Sequence, residues 1–386
     1  MENKNQKRTY LHFSPYKKIY ANVLDWLITL ALSLGFLFGL VAPVLNAQAS
    51  YQELTKQKND NYAAVQRVGI ESKLIFVDPS SSTNYTFDMM FKMYAAEHIL
   101  LSYKYSPDNL SSIGFKTSLI DESISEASYT NDFLGYFYTN YLVDKRDDNN
   151  NLIVASADYK EYYCQKILKI DENDWWVKDG DEIPHLKDNY ARYLTEYILL
   201  GRSYSTIRDV YQKFETYFNS LYSQAGSDLM KIPSYIAAYN NYNAAYEQIN
   251  SIRNIWVNTV VGILFLFIYV VYPLFRGNYQ TLGYQLFHLG CADGNHQFKY
   301  YHYLLRVLGS IVNVFFVWGL VGLIFVGSSF FSIVIFSIGT SAFTIGIGVG
   351  LSLIVNIFSF ITTLFTHSGK DFGDFISRTQ DYEIIY

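Results

Sequence analysis

The residues best suited to chemistry in this chain are polar side chains set inside apolar blocks. Asn22, Asp25, Thr29 and Ser33 recur at i, i+3, i+7 and i+11, which is one face of a helix. Arg306, Ser310 and Asn313 repeat the pattern, and Ser352, Asn356, Ser359 and Thr363 form a third stripe pointing towards His367. Lipid cannot satisfy such groups, so the stripes are expected to face one another inside a helical bundle. Two kinds of chemistry follow. A carboxylate buried at the membrane edge can carry a proton near neutral pH, which suits ion-coupled transport. Hydroxyls and amides can instead bond from helix to helix, at roughly 0.6 kcal/mol apiece. Asp25 and Arg306 exceed such glue. They are opposite charges near the same end of their blocks, and the expectation is an ion pair between them.

Other chemistries find little support. The segment between the first two apolar blocks holds only His98 and His185, with no HExxH, GxSxG or Cys–His signature. Cys164 and Cys291 are expected on opposite sides of a membrane, so they should not pair. His288, His296 and His302 lie at spacings of eight and six, not the i, i+4 that brings two ligands to one helical face, and Asp293 is the acid nearby. The acidic clusters at Asp144–Asp148 and Asp171–Glu182 lack the alternating ligands and the glycine of an EF-hand. Gly346 and Gly350 form a GxxxG pair suited to close helix packing. No catalytic residue, metal site or cofactor is therefore expected, and the protein is read as a non-enzyme.

The elements that must position the stripes come from where the apolar residues sit. Residues 21–45 and 255–275 each match the roughly 20 residues needed to cross a bilayer core, and the long apolar stretch after 303 has room for two more crossings. A signal peptide is the alternative for the first block, with a basic start and Ala47-Gln48-Ala49 as a cleavage site. It is too long for that, and it contains Asp25. Lys4, Lys7, Arg8, Lys17 and Lys18 precede it, and Arg276, Lys299 and Arg306 follow the second block. The positive-inside rule then places both termini and residues 276–303 in the cytoplasm. The expected organisation is a cytoplasmic tail over 1–20, span 1 over 21–45, an extracellular domain over 46–254, span 2 over 255–275 and a cytoplasmic loop over 276–303. Span 3 follows over 304–326, an outer-face or re-entrant segment over 327–343, span 4 over 344–366 and a cytoplasmic tail over 367–386.

The long segment 46–254 carries 28 Asp and Glu against 20 Lys and Arg, and 24 of the 36 tyrosines. It is long enough for its own core. Apolar residues recur at three- and four-residue spacing from Tyr190 to Ile198 and from Val210 to Leu221, so it is expected to be mainly helical. Ala47–Val68 and Ser234–Trp256 read as helices that extend spans 1 and 2. The fold class is thus all-α: a polytopic membrane bundle of about four spans with a mainly helical extracellular domain. A net charge of −5 and a pI near 5.8 leave no electrostatic footprint for nucleic acid. The expected partners are the lipid bilayer, a protein bound at the extracellular domain, and a second copy in a homodimer.

Three segments resemble the RDD family of bacterial membrane proteins. Lys18-Ile19-Tyr20-Ala21-Asn22-Val23-Leu24-Asp25 is similar to its Arg-x-x-Ala-x-x-x-Asp pattern, with Lys18 where the Arg is expected. Gln280-Thr281-Leu282-Gly283-Tyr284 resembles its Gly-x-Thr-x-Gly-Lys segment, with Tyr284 in place of the Lys, and is followed by Asp293-Gly294 and Leu305-Arg306. Phe372-Gly373-Asp374 through Thr379 is similar to its Leu-His-Asp-x-x-x-x-Thr segment. The match covers about residues 17–45 and 255–386 and omits the insert. The resemblance implies a multi-pass plasma-membrane protein, with transport, including cation/proton antiport, among the family's activities. It marks Lys18, Asp25, Thr281, Gly283, Arg306, Asp374 and Thr379. Asn313 and Asn356 join them as intramembrane polar groups. A transporter or cation/proton-coupled permease subunit is one expectation. The other is a receptor, immunity factor or envelope-complex subunit that binds a partner through its extracellular domain.

Overall fold

A computed structural model describes residues 9–11, 14–78, 80–105, 132–178, 183–275, 280–292, 300–338, 341–365 and 370–385. It is mainly helical and divides into two units, residues 1–55 with 245–386, and residues 56–244. Among the described residues, four helices are long and apolar enough to cross a membrane: Pro15–Ala47, Pro233–Phe275, Tyr301–Phe325 and Ile345–Phe365, here spans 1 to 4.

Two of these helices are adjusted around a proline. A proline inside a helix has no N–H to give to the carbonyl four residues earlier. Span 1 relaxes into a π-turn over Leu37–Val41, just ahead of Pro43, and span 2 does so over Leu266–Val271, ahead of Pro273. The carbonyl of Tyr269, four residues before Pro273, instead accepts a hydrogen bond from the Tyr303 hydroxyl of span 3. Span 1 stops at Gln48, whose backbone is extended, and a new helix, Ala49–Glu71, begins at once. Span 2 has no such break, because its helix starts at Pro233, well before the apolar stretch.

Leu37, Val41, Leu45, Val257, Val261, Leu264, Val314, Val317, Val321 and Val349 form one apolar cluster in this first unit. The polar stripe of span 1 is buried at Asp25, Thr29 and Ser33, and that of span 4 at Ser352, Asn356, Ser359 and Thr363. The Ser352 hydroxyl donates to the carbonyl of Val312 at 2.5 Å and accepts from the Phe316 N–H at 3.1 Å, so span 4 is fastened to the backbone of span 3. Asn356 donates back to the Ser352 carbonyl at 2.9 Å. Ser352 is thus glue between helices, whereas Asn356 bonds within its own helix.

Strand β1 (Thr9–Leu11) belongs to a three-stranded sheet, and the two-stranded β2 (Trp176–Val177) with β3 (His185–Leu186) lies in the other unit. The remaining strands are β4 (Leu289–Ala292), β5 (Val334–Ile338), β6 (Ser341–Thr344) and β7 (Gln380–Ile385). The sheet order is β1-β7-β4, antiparallel throughout. It ties the segment before span 1, the loop after span 2 and the tail after span 4 into one body, which places all three at the same end of the bundle. At the other end, the described residues of the segment 327–343 form a 3-10 turn and two strands rather than an α-helix. After Gly327, whose φ of +113° suits glycine, a 3-10 turn over Ser328–Ser332 leads into the β5–β6 hairpin. The β-branched and aromatic run Ile333-Val334-Ile335-Phe336 favours strand, and the stretch is too short for another crossing.

The second unit packs a dense aromatic core. Helices Phe87–Tyr105, Asp188–Ile198 and Ser205–Leu229 bury Phe91, Tyr94, Leu194, Phe214, Phe218 and Leu221 against Phe133, Tyr138, Tyr163 and Trp176. Gly201, with φ of +65°, makes the turn that splits the long periodic stretch into two helices. Many of the tyrosines therefore belong to this core, with the hydroxyl finding a polar partner where it can: Tyr138 donates to Asp228 at 2.8 Å and Tyr217 to the Leu168 carbonyl at 2.9 Å.

Ionisable groups also enter this core. Asp132 caps a short helix through the Gly135 N–H at 2.5 Å and accepts from Tyr163 at 3.1 Å. Burial, with the charge of Asp132 beside it, pushes the carboxyl of Glu97 up to about 9, and burial pushes the neighbouring His98 down to about 3. Both groups are thus neutral at pH 7. The unfolded chain ionises Glu97 above its ordinary value of 4.5, whereas the fold keeps it protonated to about 9, so stability declines as pH rises through that window. Glu97→Gln should remove this decline. Thermal melts of the purified protein should show the variant matching the parent at pH 4 and exceeding it at pH 8; a parallel pH dependence in both proteins would contradict the assignment.

Candidate functional site

Six polar side chains from distant parts of the chain meet at the sheet end of the first unit. Lys18 comes from the first turns of span 1 and Arg306 from the start of span 3. Asp371 and Asp374 lie at the N-terminus of the short helix Phe372–Ser377, Asp381 on β7 and Tyr284 on the helix Leu282–Leu286. Lys18 is fully buried. Its ammonium pairs with Asp374, with Asp381 at 2.7 Å and with Asp371 at 3.2 Å. Arg306 Nη1 reaches Asp374 at 3.0 Å and Asp381 at 2.8 Å, while Nη2 reaches Asp381 at 3.3 Å and the Tyr284 hydroxyl at 2.7 Å. Asp381 and Asp374 thus each bridge both cations.

Local structure fixes these positions. Asp371 accepts from the Asp374 N–H at 2.9 Å, and Asp374 accepts from the Asp371 N–H at 3.3 Å, a capping box that orients both carboxylates. Thr379 donates to Asp374 at 3.2 Å and shares a hydrogen bond with Ser377. The helix Phe372–Ser377 can lie against span 3 because Gly309 meets Gly373, where an added Cβ would stand 2.9 Å from the Gly373 Cα. Antiparallel pairing of Cys291 with Asp381 sets the thiol beside the carboxylate.

The charges tune one another. Burial alone would push Asp381 up, but Arg306 and Lys18 outweigh it and hold the carboxyl below the usual range. Asp374 moves the other way, raised by burial and by the neighbouring charge of Asp381 against the pull of Lys18. Burial pushes the Cys291 thiol up to about 12, so it remains protonated. Cys291, Asp374 and Asp381 offer three ligand atoms within 4.8 Å of one another, a spacing that suits a metal ion. Arg306 Nη1, however, lies 2.7 Å from the sulfur, 3.0 Å from Asp374 and 2.8 Å from Asp381, and so holds the point a cation would take.

Asp25 has a different role from the one its spacing suggests. It does not pair with Arg306. Its carboxylate accepts from the Thr281 hydroxyl at 2.5 Å and from the Gly283 N–H at 2.7 Å. Arg306 is taken by the acids of the C-terminal tail, which fold back over it, and Asp25 is left to cap the loop after span 2. Gly283 is required there, because a Cβ would stand 2.1 Å from the Ala21 carbonyl oxygen. A cavity of about 40 Å³ lies beside Asp25 and Arg306, lined also by Asn22, Tyr269, Thr281 and Ser310. It has room for a water or two.

Of the residues singled out from sequence, Lys18, Asp25, Thr281, Gly283, Arg306, Asp374 and Thr379 belong to this network. Asn356 does not; it lies with the Ser352 glue of span 4. The side chain of Asn313 lies outside the described residues, as do Asp293, Gly294 and His296. Asp371, Asp381 and Cys291 were missed as members, and Tyr284 had been noted only as a replaced Lys. A charge count would have pointed to the acids: two cations inside the bundle need carboxylates, and the tail supplies Asp371, Asp374 and Asp381 within 16 residues of the end of span 4. Comparison with known proteins finds no matching family model, no matching curated protein and no matching solved structure.

A buried charge that loses its partner costs roughly 3–5 kcal/mol. Lys18→Met should therefore lower the thermal midpoint in detergent sharply, and adding Asp374→Asn should recover part of the loss by removing a carboxylate left without its cation. A double variant worse than the single would contradict the pairing. Gly283→Ala should cost roughly 1–3 kcal/mol through overpacking against span 1, read in the same melt; an unchanged midpoint would deny the close approach.

Proposed function

We propose that this is a multi-pass bacterial plasma-membrane protein of the RDD type that works without catalysis, as a membrane-anchored interaction protein. Its spans hold, and its insert of residues 56–244 meets a partner. Both termini and the loop after span 2 lie in the cytoplasm, and the insert lies outside. The shared sheet of the two terminal segments and the loop supports their common side, and the basic residues around them support the cytoplasm. The resemblance is supported by two neighbouring sets of contacts between its segments, Lys18, Arg306 and Thr379 with Asp374, and Asp25 with Thr281 and Gly283.

The observation that carries the reading is the mutual satisfaction of the buried charges. Lys18 and Arg306 are each held by carboxylates of the tail. A conducting path needs charges or waters that can change partners along its length. Charges locked against one another at one end of the bundle suit a fastener.

Transport is the second reading, favoured by the small polar cavity beside Asp25. Four spans make a narrow route, so it would require a second copy. Reconstitution into proteoliposomes decides between the two. With sodium, potassium or pH gradients imposed, the expected flux equals that of empty vesicles. Cation-driven pH change that disappears in a folded Asp25→Asn variant would overturn the anchoring role and establish the transporter.

A further inference from the structure

We propose that the β5–β6 hairpin is an interfacial anchor that sets Ile335, Phe336 and Phe343 into the lipid at the end of the bundle away from the charge cluster. The inference rests on the reading of spans 3 and 4 as membrane helices and goes beyond the anchoring role proposed for them.

Position comes first. The hairpin runs directly into span 4 and is joined to span 3 by eight residues, five of them in a 3-10 turn. Span 3 ends at Phe325, and span 4 starts at Ile345, the residue after β6. Wherever those helices leave the hydrocarbon, the hairpin is there too. Composition agrees, because no Asp, Glu, Lys or Arg occurs between Arg306 and Lys370. A connection bathed in water would ordinarily carry charge, and a lone two-stranded hairpin is marginal in water.

Register then gives the hairpin two unlike faces. Phe336 pairs with Phe343, Ser337 with Ala342, and Val334 with Thr344, so an extra residue, Ile335, is bulged into β5. A bulge sets two residues of one strand opposite one of the other, which brings Ile335 towards the Phe336–Phe343 side. The two phenyl rings stack at 4.8 Å with planes 7° apart. One face thus gathers Ile335, Phe336 and Phe343, while the other carries Ser337, Ala342, Val334 and Thr344. Ile335 and Phe336 are 44% and 49% exposed and Val334 on the other face 50%, so the two faces differ in composition, an aromatic pair with Ile335 against hydroxyls and small side chains. Such an element settles at the boundary of headgroups and acyl chains, its apolar face sunk by about 5–10 Å.

Spin labelling of the full chain in vesicles of phosphatidylethanolamine and phosphatidylglycerol tests this. Ile335→Cys and Phe336→Cys are labelled separately, with Val334→Cys for the opposite face, Ser203→Cys as a water reference and Phe358→Cys on the exposed side of span 4. The parent protein, labelled in parallel, gives the background from Cys164 and Cys291. The expected result is a ratio of oxygen to nickel-chelate accessibility several-fold higher at 335 and 336 than at 203, and lower again at 334. Nickel access at 335 and 336 equal to that at 203 would place the hairpin in water and overturn the proposal. Exclusion of both reagents, with dipolar broadening, would show a second copy covering the face and would also overturn it. Position 358 separates the two readings: oxygen-accessible there but not at 335 and 336, the hairpin inference alone fails; nickel-accessible at 358, the membrane reading fails with it.

Discussion

Two cations removed from water, Lys18 and Arg306, impose the strictest condition on this molecule. Neither can be buried alone, and each lies near the start of a helix built to enter a bilayer. The acids that neutralise them are not on the facing helices. They come from the C-terminal tail, where Asp371, Asp374 and Asp381 occupy a helix cap and a strand. The tail must therefore fold back against spans 1 and 3, and the rest of that end of the bundle follows. Gly373 has to slide under Gly309, β7 has to join β1 and β4, and Tyr284 has to stand where its hydroxyl can meet Arg306 and Asp381. Ion pairs of this kind add little to net stability once desolvation is counted, yet they tolerate no missing member. Their contribution is to specify one arrangement.

The apolar part of the same unit is organised by weaker rules. Lipid gives helices no hydrophobic reason to associate, so contacts rely on packing and on hydroxyls that bond to neighbouring backbone. Ser352 does so with Val312 and Phe316, and Tyr303 does so with the carbonyl that Pro273 leaves free. Both exploit a flaw or a small residue in a helix. The π-turns at Leu37–Val41 and Leu266–Val271 belong to the same economy, since each lets a proline sit inside a span without an unsatisfied backbone group.

The helices were legible in the sequence because apolar length and three-to-four periodicity are local properties. The buried stripe of span 1 and the split between a charge-poor bundle and a separate helical insert follow from them directly. The partners of Asp25 and Arg306 were not legible. Depth along a helix says which charges are level, but the choice among level partners depends on how the tail folds, and the acids that win lie 68 and 75 residues from Arg306. The hairpin was missed for a related reason. Its composition is as apolar as a span, and only its β-branched run and its short length argue for strands. Several of the residues singled out make contacts between segments, Ala21 with Gly283, Asp25 with Thr281 and Lys18 with Asp374, whereas Asn356 bonds within its own helix.

The two units deal with buried ionisable groups in opposite ways, and the chemistry of the groups explains the difference. A guanidinium does not lose its proton in a protein, so Arg306 has to be given counter-charges wherever it is buried. A carboxyl or an imidazole can shed its charge, and in the insert Glu97 takes up a proton and His98 gives one up, each becoming a neutral part of an aromatic core. The first solution needs long-range architecture. The second needs only burial, and it makes the core respond to pH. In the insert, therefore, the response to pH comes from single buried groups rather than from a shared network of charges.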